Sequence, residues 1–250
     1  MKKERGSHEM GTSKGYDAPT TPQWGDLKGQ VSRLAKEGRP GKDSSKQLVG
    51  QFIRANGGSQ GVARNGGMGA RSAKSVAKNL GSFISLVGSF GFLEALKRAG
   101  LSHLVGKTTS DIILSLIDYF GEDASTIDQV DARNALSQLM SELFDDAEGI
   151  DDVGQILEEY ANSDNLAKIL ERFFGYYVYQ QFCRSFYERL ASKVGNSQAD
   201  AFLDDILDYI KSEIIIISID RDITQIDWNG QEGEEICTEV LEKTLIVFGG

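Results

Sequence analysis

The chain has 250 residues, of which 40% are hydrophobic, and it carries a formal net charge of -10. This length allows one sizeable core with an unstructured segment beside it. The two cysteines, Cys183 and Cys237, match no zinc spacing and exclude a disulfide framework. The first residues lack the apolar run of a secretory signal, and residues 79–93 are too few for a membrane helix of about 20 residues. We therefore expect a cytoplasmic protein.

The charge is distributed unevenly along the chain. Residues 1–107 contain 18 of the 27 Lys and Arg but only 7 of the 37 Asp and Glu, so the remainder is strongly acidic. The two halves either neutralise each other within one molecule or bind separate partners, such as phosphate for the basic half and a basic protein surface for the acidic half.

Residues 1–46 are predicted to form a flexible tail ahead of a helical domain over residues 47–250. The segment contains all three prolines and little apolar periodicity, so it cannot offset the entropy of ordering. Within it, Trp24, Leu27 and Val31 follow helical spacing. This pattern predicts a short amphipathic segment that docks on the body or on a partner.

The next part of the chain predicts a short helix at 48–53, a mobile loop and then a long helix. Six of the thirteen residues from 57 to 69 are glycine, which favours the loop. Apolar residues then recur at steps of three and four from about Arg71. Gly81 and Gly88 lie one heptad apart in this helix and indicate that another helix approaches closely there.

The acidic half predicts further helices, and the fold class is therefore an all-α helical bundle. Thr108 or Thr109 is placed to cap one of them. Residues 166–194 include eight of the 22 aromatic residues and predict a central buried helix, with an aromatic ligand pocket as the alternative. The β-branched runs 214–217 and 244–248 leave a short β-hairpin near the C-terminus as an alternative to helices.

Catalytic motifs are scarce. Gly106-Lys107-Thr108 resembles the end of a P-loop, but Leu101 stands where that motif requires glycine. The chain has only two histidines, His8 and His103, and its acidic clusters lack metal-loop spacing. We therefore expect a protein that is not an enzyme and that uses neither a metal nor another cofactor.

A basic cluster follows the glycine-rich stretch and suggests a second function. Arg64, Arg71, Lys74 and Lys78 lie near the expected start of a helix, where backbone N–H groups and positive charge hold anions. The alternative hypothesis is therefore a nucleic-acid-binding module that uses the basic N-terminal half. The cluster lacks interleaved aromatic residues for base stacking.

Met10, followed by Gly11, Thr12 and Ser13, offers an internal start site, and the residues before it are an expression remnant, the result of a misassigned start or a native leader. If the residues up to Met10 were absent, Gly11 would carry a free amine. Gly15 stands where a myristoylation signal requires Ser or Thr, so this is not such a signal.

Short motifs along the chain resemble the QatB family of anti-phage proteins. They are the following: Met10–Ser13, Pro19, Pro22, Trp24, Leu27–Lys28, Gly57–Gly58, Ala70–Ser72, Leu101–Gly106 and Ile226–Trp228. The resemblance implies an operon with a P-loop ATPase, a QueC-like enzyme and a TatD-like nuclease. QueC-like enzymes activate deazapurine carboxylates with ATP. The resemblance therefore suggests that the tail presents Gly11 to the QueC-like protein, which conjugates a deazaguanine group to it, while Thr12 and Ser13 supply recognition contacts.

Overall fold

The computed structural model describes residues 19–65, 70–121, 124–213, 219 and 221–250. Within these residues it contains eleven α-helices and no β-strand, which confirms the all-α prediction. The helices are α1 (Pro22–Glu37), α2 (Gly41–Ala55), α3 (Gly58–Asn65), α4 (Arg71–Phe90), α5 (Phe92–Arg98), α6 (Thr109–Phe120), α7 (Ile127–Leu143), α8 (Ile150–Glu159), α9 (Ser163–Val194), α10 (Asn196–Ser212) and α11 (Gln231–Val247). Two short 3-10 turns, Ser102–Leu104 and Ile223–Gln225, complete the described structure.

Helix α9 is the centre of the bundle, as the sequence predicts. Its 32 residues span about 48 Å, at about 1.5 Å per residue. Helices α1, α4, α7, α10 and α11 pack around it. Buried side chains occur on every side of α9, and the rings of Phe182 and Phe186 pack with centroids 4.7 Å apart. The aromatic residues of this helix thus build the core of the protein.

Two local signals define helix starts where the sequence placed them. Helix α4 begins at Arg71. Thr108 caps α6, because its hydroxyl accepts a hydrogen bond from the backbone N–H of Asp111. Both features depend on neighbouring residues alone, which explains why the sequence predicts them.

The predicted flexible tail is wrong for residues 22–46, which form α1 and the start of α2. Trp24, Leu27 and Val31 are almost fully buried on one face of α1. That face packs against α2 and α9, and this burial outweighs the entropy of ordering a polar, glycine-containing helix. Residues 1–18 lie outside the described part of the chain.

The predicted mobile loop at 57–69 also needs correction, because residues 58–65 form α3. Val62 and Ala63 are fully buried where α3 packs against α2 and α11. Tertiary contact here overrides the low helix propensity of glycine. Residues 66–69 are outside the described structure.

The hairpin alternative does not hold for its second strand, since residues 244–247 are the last turn of α11. Thr244 and Leu245 are buried there against the bundle. The first run, residues 214–217, lies outside the described residues.

Gly81 and Gly88 do mark close approaches, but the residues that they meet, Trp228 and Ala161, belong to connecting segments and not to another α-helix. A Cβ at Gly81 would overlap the Trp228 indole, and a Cβ at Gly88 would lie 3.3 Å from Ala161. Trp228 is buried and its Nε1 donates to the carbonyl of Ile223 at 3.2 Å. The segment between α10 and α11 is thereby fixed against α4.

We predict that Gly81→Ala destabilises the protein by about 1 to 3 kcal/mol, because the added methyl must displace the Trp228 ring. The matched control is Gly25→Ala in α1, where a Cβ would meet open space. That control should stabilise the fold by up to about 1 kcal/mol through helix propensity. Denaturant unfolding of the two variants measures both effects, and equal shifts for both would contradict the close contact.

Candidate partner-recognition site at the base of the tail

The residues that follow the N-terminal segment are held by a tight set of contacts around Trp24. The Trp24 side chain is 1% exposed and lies between Phe52, at 5.7 Å between ring centroids, and Phe186, at 6.0 Å. Its Nε1 donates a hydrogen bond to the carbonyl of Ala55 at 3.1 Å. A large apolar ring with its one polar atom satisfied is a strong anchor.

Lys28 extends this anchor to Pro19, three residues before the start of α1. Its Nζ donates to the carbonyl of Pro19 at 3.0 Å and lies 5.9 Å from the centre of the Trp24 ring. Pro22 occupies the first turn of α1, where its missing N–H costs no hydrogen bond. The chain therefore enters the bundle at a defined point on the surface.

The other end of α1 is tied to α9 and α10. Arg189 Nε donates to the Ser32 hydroxyl at 2.8 Å, and Gln198 Nε2 donates to the carbonyl of Ala35 at 2.9 Å. The helix is thus held along its whole length. Trp24, Leu27 and Val31, which the sequence proposes as a docking segment, dock on the protein's own body in this structure.

Gly11, Thr12 and Ser13 lie outside the described residues. Eight residue steps separate Gly11 from Pro19. An extended chain of that length spans at most about 26 to 29 Å.

The basic cluster of the anion-binding hypothesis faces carboxylates of α11. Arg64 contacts Glu242 at 2.8 Å, while Lys74 and Lys78 contact Glu234 at 2.7 and 3.2 Å. Burial alone would raise the pKa of Glu234, but hydrogen bonds from the two lysines outweigh it and lower that pKa.

Arg71, the fourth residue of this cluster, is exposed at the start of α4. Most of the predicted anion site is therefore engaged in internal ion pairs. Nucleic-acid binding stays a prediction.

Further ion pairs join the basic and acidic halves of the sequence. Arg39 pairs with Asp205, and Lys42 lies 2.9 Å from Glu213. Together with the three cations that contact carboxylates of α11, five basic residues from the first 107 positions thus pair with carboxylates from the acidic part. The intramolecular explanation of the charge asymmetry is supported by these contacts.

The profile of the family described as "Qat anti-phage system associated protein QatB" matches residues 57–248, more than three quarters of the chain. The chain belongs to the QatB family. It is therefore a component of the Qat anti-phage system. The matched range begins just after α2, directly before α3, and includes the whole of α9. No curated protein and no solved structure matches the chain.

Inside this QatB-family bundle lies a buried polar network that sequence reasoning missed. Asp128 accepts hydrogen bonds from the Tyr177 hydroxyl at 2.5 Å and from the backbone N–H of Ser72 at 3.1 Å. Gln181 Nε2 donates to the Tyr177 oxygen at 2.5 Å. The network joins the first turns of α4 and α7 to the middle of α9. No sequence pattern signals it, because its members come from three separate segments.

A neighbouring ion pair completes this network. Arg184 Nε donates to Asp131 at 2.8 Å, and the Asp131 side chain is 5% exposed. Burial raises the pKa of Asp131 to about 6, although Arg184 acts in the opposite direction. Removal of a carboxylate from water explains the shift.

The two cysteines of this QatB-family chain are both buried. Burial raises the pKa values of the Cys183 and Cys237 thiols to about 12, which keeps both thiols protonated and unreactive. Among the described residues, no group of three His, Cys, Asp or Glu side chains is arranged to hold a metal ion. No described helix is both long and apolar enough to cross a membrane.

The raised pKa of Asp131 predicts a pH-dependent contribution to stability. The folded chain holds the Asp131 proton more tightly than the unfolded chain, whose ordinary pKa is 3.8. Raising the pH from about 4 to about 7 should therefore lower the stability of the wild type, relative to Asp131→Asn, by up to about 3 kcal/mol. Urea unfolding of both proteins across this range measures the difference. If the free energy of unfolding of the wild type instead rises relative to that of Asp131→Asn as the pH rises, the assignment is wrong.

Proposed function

We propose that this chain is the non-catalytic component of the Qat system whose N-terminal tail is recognised by a QueC-like partner. The observation that carries the proposal is the anchoring of Trp24 and Pro19, which fixes the position of the first described residue, Pro19. Membership of the QatB family supports the choice of partner. The buried thiols support a role as the protein acted upon, because neither offers a reactive nucleophile.

The proposed chemistry is amide formation at Gly11. Once the residues before it are removed, Gly11 carries a free α-amine, and its neutral form attacks the carbonyl carbon of a deazaguanine carboxylate that ATP has activated. A C–N bond forms, the phosphate-bearing activating group leaves with its electron pair, and the amine releases a proton. The ordinary pKa of an α-amine is about 8, so part of it is neutral near physiological pH.

Glycine suits this position for steric reasons. A residue without a side chain allows the amine to enter a narrow cleft and the backbone to approach the activated carboxyl closely. Thr12 and Ser13 carry small hydroxyl groups that both donate and accept hydrogen bonds, so they suit recognition by the partner. The P-loop ATPase and the TatD-like nuclease act on or with the modified protein in this proposal.

In this proposal the helical body holds the attachment point of the tail in a fixed position. Because Lys28 and Trp24 hold the chain at Pro19, Gly11 reaches a reactive centre no more than about 26 to 29 Å from that point. The partner must therefore bind close to the start of α1. Its cleft receives only the tail in this proposal, since α1 is packed against α2, α9 and α10.

We predict that Gly11→Glu abolishes both modification and phage protection without changing the helical content. The larger, charged side chain blocks entry of the amine into the cleft, whereas the described helices all lie between residues 22 and 247. The measurements are the intact mass of the protein co-expressed with the QueC-like partner and survival of cells with the full system. Gly15→Glu is the matched control and should keep modification. An unmodified terminus in protected wild-type cells would refute the conjugation.

Tail length gives a second prediction. Deleting residues 14–18 leaves three residue steps between Gly11 and Pro19, which span only about 11 Å at full extension. We expect this deletion to prevent modification, and an insertion of five Gly and Ser residues after Ala18 to preserve it, because a flexible tether still reaches the cleft. The N-terminal peptide mass reports both results. Modification of the shortened chain at the wild-type rate would show that the anchored body has no part in presentation.

A further inference from the structure

Four exposed basic side chains form a continuous strip across α1 and α9. The two helices are joined at Ser32, whose hydroxyl accepts a hydrogen bond from Arg189 Nε at 2.8 Å. On α1, Lys36 lies one turn after Ser32, and Arg33 lies one turn before Lys36. On α9, Lys193 lies one turn after Arg189. We name these four cations, Arg33, Lys36, Arg189 and Lys193, the α1–α9 strip.

The cations of the α1–α9 strip have no acidic partner within the described part of the chain. The ion pairs found there engage neighbouring cations such as Arg39 and Lys42, but none of the four in the strip. Its acidic neighbours in the sequence are Glu37 and Glu188, so four positive charges stand beside two negative ones. This excess is local, since the whole chain has a net charge of -10. The strip is therefore a surface where an anion is attracted to an otherwise acidic protein.

The surface around the strip is open and lacks large apolar groups. A Cβ at Gly25 or at Gly29, which precede Arg33 on α1 by two turns and one turn, would meet open space. The large hydrophobic side chains that are exposed in the described structure belong to α4, α5, α6, α7, α11 and a connecting segment, and none belongs to α1 or α9. Interfaces between proteins have an apolar centre with a polar rim. A ligand that is recognised by its charge therefore suits this surface better than a protein does.

We propose that the α1–α9 strip binds the phosphate backbone of a nucleic-acid duplex. With about 5 to 6 Å between side chains one turn apart, the four cations extend over roughly 15 to 20 Å. A single small anion can contact only part of that length. Double-stranded DNA carries one negative charge per about 1.7 Å of its axis, so it offers phosphates along the whole strip.

The binding is directed at phosphates and does not read the base sequence. Ser32 holds the Arg189 guanidinium by its Nε, and the two terminal nitrogens have no hydrogen-bond partner among the described residues, so they are free to bind two phosphate oxygens. Helix α1 packs against α2, α9 and α10 and so does not enter a groove as a free recognition helix. The strip shares no residue with the cluster of Arg64, Arg71, Lys74 and Lys78. This inference does not depend on the role proposed for the tail.

The first test is fluorescence anisotropy of a labelled DNA duplex of about 20 base pairs, titrated with the full chain in about 50 mM salt. The duplex should bind, and the logarithm of the association constant should fall with the logarithm of the salt concentration with a slope of about -3 to -4, as four neutralised phosphates require. Unlabelled duplex should displace the probe better than poly-glutamate of equal total charge. Absence of binding at this salt concentration, or better displacement by poly-glutamate, which would indicate an acidic protein as the ligand, would overturn the proposal.

Charge reversal at the two ends of the strip provides the second test. The double variant Arg33→Glu and Lys193→Glu leaves the contact between Arg189 and Ser32 in place, and it should raise the dissociation constant at least about tenfold and reduce the salt slope by about 2. The matched control is Arg71→Glu with Lys107→Glu, which changes the net charge equally at two exposed positions on α4 and before α6. The control should have a smaller effect on both quantities. Circular dichroism checks that both variants are folded, and equal losses of binding in both would refute the strip as the binding site.

Discussion

Helix α9 imposes the main constraint on this protein, because a helix with buried side chains on every side must be covered on every side. Five helices provide that cover, and they come from both ends of the chain. Residues that differ greatly in sequence position are thereby brought into one core. The placement of α1 beside α9 is a consequence, and it determines where Pro19 lies on the bundle.

The packing of helices from both ends of the chain also explains the uneven distribution of charge along the sequence. Basic residues of α2, α3 and α4 lie against carboxylates of α10 and α11, so a chain with opposite halves becomes a bundle with internal ion pairs. Most of these pairs are partly exposed and contribute little to stability individually. Their main effect is on how the helices are aligned, since each pair favours one arrangement of the helices around α9.

Local signals in the sequence predicted much of the fold. The apolar spacing after Arg71 and the Thr108 cap require only neighbouring residues, and both are found. The sequence did not predict α1 and α3 as parts of the folded body, because their stability comes from burying residues such as Trp24 and Val62. Only the assembled bundle provides the surfaces that bury them. The Asp128 network was equally hidden, since three distant segments form it. For Gly11, family resemblance was the only guide to a role.

The contacts at the end of α1 also affect biosynthesis. Ser32 and Ala35 are bound by Arg189 and Gln198, residues made about 160 positions later. At typical elongation rates of about 5 to 20 residues per second, roughly 8 to 30 seconds pass between the synthesis of α1 and the synthesis of these partners. During that interval Trp24 has no complete cavity to fill. Chaperones and processing enzymes therefore encounter an apolar N-terminal segment on the nascent chain that the finished protein conceals.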